Sequence, residues 1–233
     1  MISLPDLRSS IKHQNLIATA KYCLTAWKMS TTKPFNPFHS KRLIYRAVED
    51  SFEDEAFVNL IQRDAEAQSG SSYGLLRPES MKMSKEFKKH VAENCLLGAI
   101  VCLPSAGSPP SSGSPGDRVG IVCLKSTPPN QAHHRWSDIS IDIAKGYRGK
   151  GYGSEAIMWA LWYGFQMAGL HRVSIGAFSF NDGAVKLYKE LGFTEEGRQR
   201  DFMWFDGGWH DHILFSMLED EWRDIQKKAG KLA

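Results

Sequence analysis

An alternating strand that runs straight into a glycine-rich turn and then into a helix constrains this chain more than any other stretch. It reads Ile139-Ser-Ile-Asp-Ile-Ala-Lys-Gly-Tyr-Arg148-Gly-Lys-Gly-Tyr-Gly153 and continues as a helical segment from Ser154 to Ala168. The first N–H groups of a helix have no partner inside it, and the aligned peptide dipoles leave partial positive charge there. The turn therefore predicts an anion cradle with a phosphate as its natural occupant. Gly149, Gly151 and Gly153 remove side chains that would block close approach, and Arg148 and Lys150 add positive charge.

Three phosphate motifs compete for this segment. A Walker loop places Ser or Thr after Gly-Lys, but Lys150 is followed by Gly151. Gly151, Gly153 and Ala156 fit a dinucleotide pattern, which also wants an acid about 20 positions on; the region around His171 and Arg172 has none. The third pattern, Arg/Gln-x-x-Gly-x-Gly/Ala, is met by Arg148, Gly151 and Gly153. After the cradle helix, Val173, Ile175 and Ala177 alternate as a half-buried strand. Asn181-Asp182 then makes a helix start, Ala184, Leu187, Tyr188 and Leu191 share one helical face, and Gly192 ends it.

Arg148 to Gly153 and the string Asn181 to Phe193, in this order, resemble the two signatures of the GNAT superfamily of acetyl-coenzyme A-dependent N-acetyltransferases. The first strand and the cradle are similar to its branch of ribosomal-protein-alanine and spermidine N-acetyltransferases. The resemblance implies an α/β fold with a mixed sheet of about seven strands, splayed between the fourth and fifth, with helices on both faces. It implies acetyl-CoA as cosubstrate, contacted by Ile141, Asp142, Ile143, Arg148, Gly149, Lys150, Gly151, Tyr152, Gly153 and Asn181. Tyr188 would protonate the departing thiolate, and N–H groups near Ile141 to Ile143 would hold the oxyanion if the strand bulges there. Acetyl would pass directly to a primary amine of a small molecule or peptide in a ternary complex. The alternative is an inactive CoA-binding module, against which Asn181 and Tyr188 both argue.

The chemistry needs a proton acceptor, since neutralising an ammonium of pKa about 10.4 at pH 7 costs roughly 4 to 5 kcal/mol. Ile139, Ile141 and Ile143 share one side of their strand and Asp138, Ser140 and Asp142 the other. Asp138, placed where relatives carry an acid, is the candidate base or anchor of a water relay; the alternative is an ordinary salt-bridged strand carboxylate. Tyr188 also belongs to an apolar stripe and doubles as a core residue. No metal is expected: His210 and His212 share a strand side, but no third ligand has useful spacing. His133-His134 follows Pro128-Pro129 and borders the acceptor side at most. Lys186 and Lys189 read equally as nucleotide contacts or a solvated helix face. Trp159, Trp162, Tyr163, Trp204 and Trp209 read as core or sheet-packing residues.

The remaining chain sorts by composition. Residues 1–39 form a basic extension: up to Val48 the only acid is Asp6. It resembles a transit peptide or a loosely docked leader. The N-acetyltransferase domain is expected over 40–230, with a first strand at 41–48, a helix from Ser51 to about Ala67, and a second helix or flexible cover over 69–90. Residues 104–117 are Ser-, Pro- and Gly-rich and read as a disordered hairpin loop. Asp206-Gly207-Gly208 marks a tight turn between aromatic arms. A net charge of +3 makes no case for nucleic acid, and no apolar run approaches the roughly 18 residues of a membrane span. Cys23, Cys95, Cys102 and Cys123 lack metal spacing. The expectation is a cytoplasmic monomer or homodimer, mitochondrial if residues 1–28 are a transit peptide.

Overall fold

The computed structural model describes residues 35–230, so the basic extension lies outside the described residues up to position 34. The strands are β1 Ile44–Arg46, β2 Cys95–Pro104, β3 Pro115–Lys125, β4 Trp136–Ile143, β5 Arg172–Phe178, β6 Thr194–Phe205 and β7 Gly208–Leu218. They form one sheet of seven strands in the order β1-β2-β3-β4-β5-β7-β6. Every pairing is antiparallel except β4 with β5. That parallel pair meets only from Trp136 to Asp138 against Arg172 to Ser174, and beyond it the two strands part. The expected seven-strand mixed sheet, splayed between its fourth and fifth strands, is what the chain forms.

Among the described residues, six α-helices accompany the sheet: α1 Phe52–Gln62, α2 Ala65–Ser71, α3 Met81–Glu93, α4 Tyr152–Trp162, α5 Asp182–Glu190 and α6 Glu219–Lys228. Side-chain alternation divides the core between the two faces. Ile44, Ile100, Cys102, Ile121 and Cys123 pack with Val58, Ile61 and Val91 of α1 and α3. Tyr45, Val101, Leu124, Ile139, Val173, Ile175, Ile213 and Phe215 pack with Ile157, Leu161, Tyr188 and Trp222 of α4, α5 and α6. Local signals start the helices: Ser51, Ser80 and Asn181 each accept the N–H three residues on.

The helix read from Ser51 to Ala67 is broken in two. Asp64 takes an extended conformation (φ −77°, ψ 93°), accepts the Ala67 N–H and so starts α2. Its other oxygen accepts from Arg148 at 2.6 Å, a tie across the fold that local pattern does not show. Between β2 and β3 the strand arms reach Pro104 and Pro115, and Ser105 bonds back to Ser114 and Pro115 around a 3₁₀ turn at Pro110–Ser112. At the β6–β7 turn Asp206 and Gly207 both have positive φ (48° and 79°), the twist a tight hairpin needs. Trp204 and Trp209 are not core residues: they stack edge-to-face at this tip and each is 59% exposed. Trp159 is buried, stacked 3.6 Å from Tyr45. No helix among the described residues is long and apolar enough to cross a membrane.

Candidate active site

Where β4 and β5 part, the sheet opens into a cleft of about 1060 Å³ lined from both sides. Ile139 and Ile175 belong to the core that contains Tyr188. Strand alternation therefore puts Asp138, Ser174 and Gly176 on the opposite face. The opening runs through the sheet, with Tyr188 approaching from one side and Asp138 from the other. Of the residues expected to act in catalysis or to contact the cosubstrate, all but Lys150 line this cleft.

One end is made of backbone. Among the described residues, none of the N–H groups from Gly149 to Ser154 donates a hydrogen bond; the ladder of α4 begins with Glu155 N–H to Gly151 O. Gly149 and Gly151 have φ of 72° and 76°, left-handed values that a side chain disfavours. Arg42, which the sequence reading passed over, explains how the turn is aimed. Its guanidinium donates to Lys150 O at 2.9 Å and Gly151 O at 3.1 Å, and is held by Glu155 at 2.7 Å. A peptide's N–H points opposite to its C=O. Pinning these carbonyls on one side turns the Gly151 and Tyr152 N–H groups to the other. Ser40 and the Arg42 N–H also bond Glu155, holding its carboxyl below the usual range despite burial.

The cations of the motif are occupied otherwise than expected. Arg148 donates to Ile143 O at 2.8 Å and to Asp64 at 2.6 Å, so it clamps α2 to the end of β4. Lys150 donates to Gly146 O at 2.9 Å and lies 5.3 Å over the Tyr147 ring. The cradle's donors are thus peptide groups rather than side chains.

In the middle of the cleft β4 supplies an edge. Its register with β3 runs unbroken from Ile143 opposite Gly120 to Ile139 opposite Leu124, so the bulge on which the oxyanion reading was conditional is not formed. Exposed N–H groups arise instead because β5 leaves after Asp138. Ala144 N–H bonds Val119 O on β3, so alternate residues Ile143 and Ile141 present N–H and C=O to the cleft. Ile143 O accepting from Arg148 fits this phase. Asp142, by the same alternation, spends its backbone on β3 and offers only its side chain. Burial pushes that carboxyl up, against a hydrogen bond from Ser71 and the charge of Arg148.

Tyr188 enters from α5. It is 8% exposed and packed on Phe193 and Phe215, so it is a core residue. Its hydroxyl has no hydrogen bond among the described residues and faces the cleft. Burial, aided by the Asp142 charge, pushes its pKa up to about 12. Asn181 has its Oδ1 committed to the Ala184 N–H at 3.1 Å, while its Nδ2 lies against Gly70 of α2.

The far end is made of side chains gathered from across the chain. His212 of β7 is 7% exposed, with Nε2 3.0 Å from the Tyr73 hydroxyl and Nδ1 2.9 Å from Gln199 Oε1. Gly176 makes room for it: a Cβ there would lie 2.3 Å from His212 Nε2. Between Gln199 and Met203 the β6–β7 register shifts, Asp201 takes φ 49°, and Phe202 comes within 5.2 Å of the His212 ring. Asp138 stands close enough for its charge to act on Tyr73, Arg172 and His212. Glu196 is paired with Arg172. His210 bonds Phe205 O, so the two histidines have separate partners. His133 and His134 stack on each other in an exposed turn, and Lys186 and Lys189 pair with Glu190 and Glu195. Sequence reasoning missed Arg42, Tyr73 and Gln199, and weighed His212 only as a metal ligand. The one available signal was Gly176, a lone glycine inside a strand, which marks a close approach.

Known acetyltransferases resemble this chain in sequence and in fold. The model of the acetyltransferase (GNAT) family matches residues 111–193. The spermidine N(1)-acetyltransferase of Escherichia coli K12 is 27% identical over 50% of this chain and 61% of its own length. The [ribosomal protein uS5]-alanine N-acetyltransferase of the same strain is 30% identical over 36% of this chain and 43% of its own. The chain spans about half the length of the curated relatives it matches. Among solved structures, spermidine N-acetyltransferase from Vibrio cholerae in complex with CoA and spermine superposes with a TM-score of 0.63 at 25% identity, covering 79% of this chain and 99% of that one. The resemblance read from two short signatures therefore extends to the fold.

Proposed function

We propose that this chain, whose residues 111–193 carry the GNAT acetyltransferase module, moves the acetyl group of acetyl-CoA directly to a primary amine of a small molecule or peptide. One observation carries the reading: the sheet opens between β4 and β5 with unbonded N–H groups at one end and the Tyr188 hydroxyl between its walls. The N–H groups of Gly149 to Ser154 would hold the pyrophosphate, a fit supported by their lack of other partners and by the carbonyls that Arg42 turns away. The exposed edge of Ile141 and Ile143 would bond the amide-bearing arm, and the Ile141 or Ile143 N–H would steady the oxyanion. Tyr188, protonated at any working pH, would give its proton to the departing thiolate.

Because the cleft passes through the sheet, the amine would enter from the face opposite Tyr188 while the cosubstrate is in place, which makes a ternary complex the natural order. Asp138 on that face would draw in the ammonium and anchor the proton path. The relatives named for spermidine and for a ribosomal-protein alanine share only the primary amine, and that is the acceptor class proposed here. The test is thiol release from acetyl-CoA by the purified chain over polyamines, amino acids, aminoglycosides and short peptides. Amine-dependent release is expected. Tight CoA binding without release on any amine would leave a binding module and sink the transferase reading.

A further inference from the structure

We infer that His212 is the proton sink for the acceptor amine, reached through the Tyr73 hydroxyl that sits on its Nε2. The inference rests on the acetyl-transfer reading and adds residues that neither signature contains.

Hydrogen-bond geometry determines which nitrogen is available. Gln199 Oε1, as a carbonyl oxygen, only accepts, so the 2.9 Å contact makes Nδ1 of His212 the protonated nitrogen. In the neutral ring Nε2 then carries the lone pair, and the Tyr73 O–H donates to it at 3.0 Å. Gln199 thus does for this ring what a tautomer-fixing partner does in other acid–base sites. Gly176 leaves the space in which Nε2 meets the cleft.

The surroundings favour a neutral imidazole that is able to take up a proton. Burial lowers the His212 pKa, so the ring is neutral at pH 7, and the Asp138 charge works in the other direction, stabilising the imidazolium once formed. The groups packed against the ring are Tyr73 from the segment after α2, Gly176 and Phe178 from β5, and Gln199 and Phe202 from β6. Among the described residues, Asp138 of β4 is the charged group whose field acts on the ring. Tyr73 lines the cleft and is itself 59% exposed, so an amine in the cleft can approach its side chain.

The step balances without an added reagent. One N–H bond of the ammonium breaks and its proton goes to the Tyr73 oxygen. The Tyr73 O–H bond breaks and its proton goes to His212 Nε2. The amine keeps the electron pair with which it attacks the thioester carbonyl, and the imidazolium later returns the proton to water at the cleft mouth. Tyr73 is the group that meets the amine, and His212 acts through it.

The test is the pH profile of kcat/KM for an amine found active in the panel. Neutral His212 is the working form, so the rate should fall as pH drops through its folded pKa, with the midpoint below the ordinary value of about 6.5. Tyr73→Phe and His212→Gln should each lower kcat about 10²-fold, and His212→Gln should abolish that acidic limb. Acetyl-CoA affinity, measured by calorimetry, should stay within twofold, which separates a lost relay from a misfolded cleft. Nitrogen-15 NMR of the wild-type ring should report Nδ1–H and a pKa below 6.5 without reference to activity. A wild-type limb retained in His212→Gln, full activity in Tyr73→Phe, or an Nε2–H ring would overturn the inference alone. A wild-type protein that binds acetyl-CoA and acetylates no amine would remove the transferase reading and this one with it.

Discussion

The two ends of the cleft are built from different materials. At the phosphate end the donors are consecutive peptide groups from Gly149 to Ser154, and the charged side chains nearby either aim the backbone, as Arg42 does, or are engaged elsewhere, as Arg148 and Lys150 are. At the acceptor end Tyr73, Asp138, Gln199 and His212 come from four separate stretches of chain; Tyr73 and Gln199 contact His212 through side chains, and the charge of Asp138 acts on it. Backbone donors cannot be deleted by most substitutions, only re-aimed. Side-chain relays are lost with one atom. The first design suits a ligand that does not vary; the second leaves acceptor choice open to change without disturbing cofactor binding.

The largest effect is expected where the ends meet. Tyr188→Phe should cut turnover about 10²- to 10³-fold with acetyl-CoA affinity unchanged, and turnover within a few-fold of wild type would remove its general-acid role. The pH argument sharpens this. A pKa raised to about 12 keeps the acid form present below that value and lost only as pH rises through it, so any alkaline limb below about pH 11 belongs to another group. Gly176→Ala comes next: its Cβ would fall 2.3 Å from His212 Nε2 and force the ring aside. Turnover should drop about tenfold or more while acetyl-CoA binds as before. Weakened cofactor binding in that variant would break the separation of the two ends.

The phosphate end answers to the opposite variant. Gly151→Ala places a side chain at φ 76° and 3.2 Å from Arg42 Nη2, a strain of about 1 to 2 kcal/mol. Acetyl-CoA should bind about tenfold more weakly with kcat at saturation little changed. A fall in kcat with unchanged affinity would mean that the turn does not hold the phosphates. Combined with Gly176→Ala, the two effects should add, since sites without shared partners do so.

This contrast also decides what the sequence could tell. The shape of the cradle is legible because it is built from consecutive residues: glycines at left-handed positions, a helix start and a strand just before it. The sheet is legible from alternation, and Tyr188 from its distance to Asn181. The acceptor end is not, because its members meet only after β5, β7 and β6 take an order that differs from their order in the chain. The irregularity between Gln199 and Met203, which swings Phe202 over His212, breaks the alternation on which strand reading depends. The oxyanion role read for Ile141 to Ile143 was conditional on a bulge in β4, yet the strand is regular there. The exposed edge comes from the departure of β5, a property of two strands that neither shows alone.

Arg148 gives the smallest effect and the plainest test of the contrast. Its place in the motif suggests a cation for phosphate, but the guanidinium joins Ile143 O to Asp64 and so fixes α2 beside the cleft. Burial would raise the Asp64 carboxyl, but the Arg148 hydrogen bond and the Ala67 N–H hold it below the usual range. A lowered pKa means that this tie is present above the unfolded value of about 3.9 and is lost as pH falls below it. Asp64→Asn should cost about 0.2 to 1 kcal/mol of stability by urea unfolding near pH 7, and progressively less below pH 4. It should weaken acetyl-CoA binding no more than about twofold, since the pair is partly solvated and the cradle donors stay in place. If freeing the guanidinium instead tightens acetyl-CoA binding several-fold, Arg148 is a phosphate ligand held in reserve, and the phosphate end is not built of backbone alone.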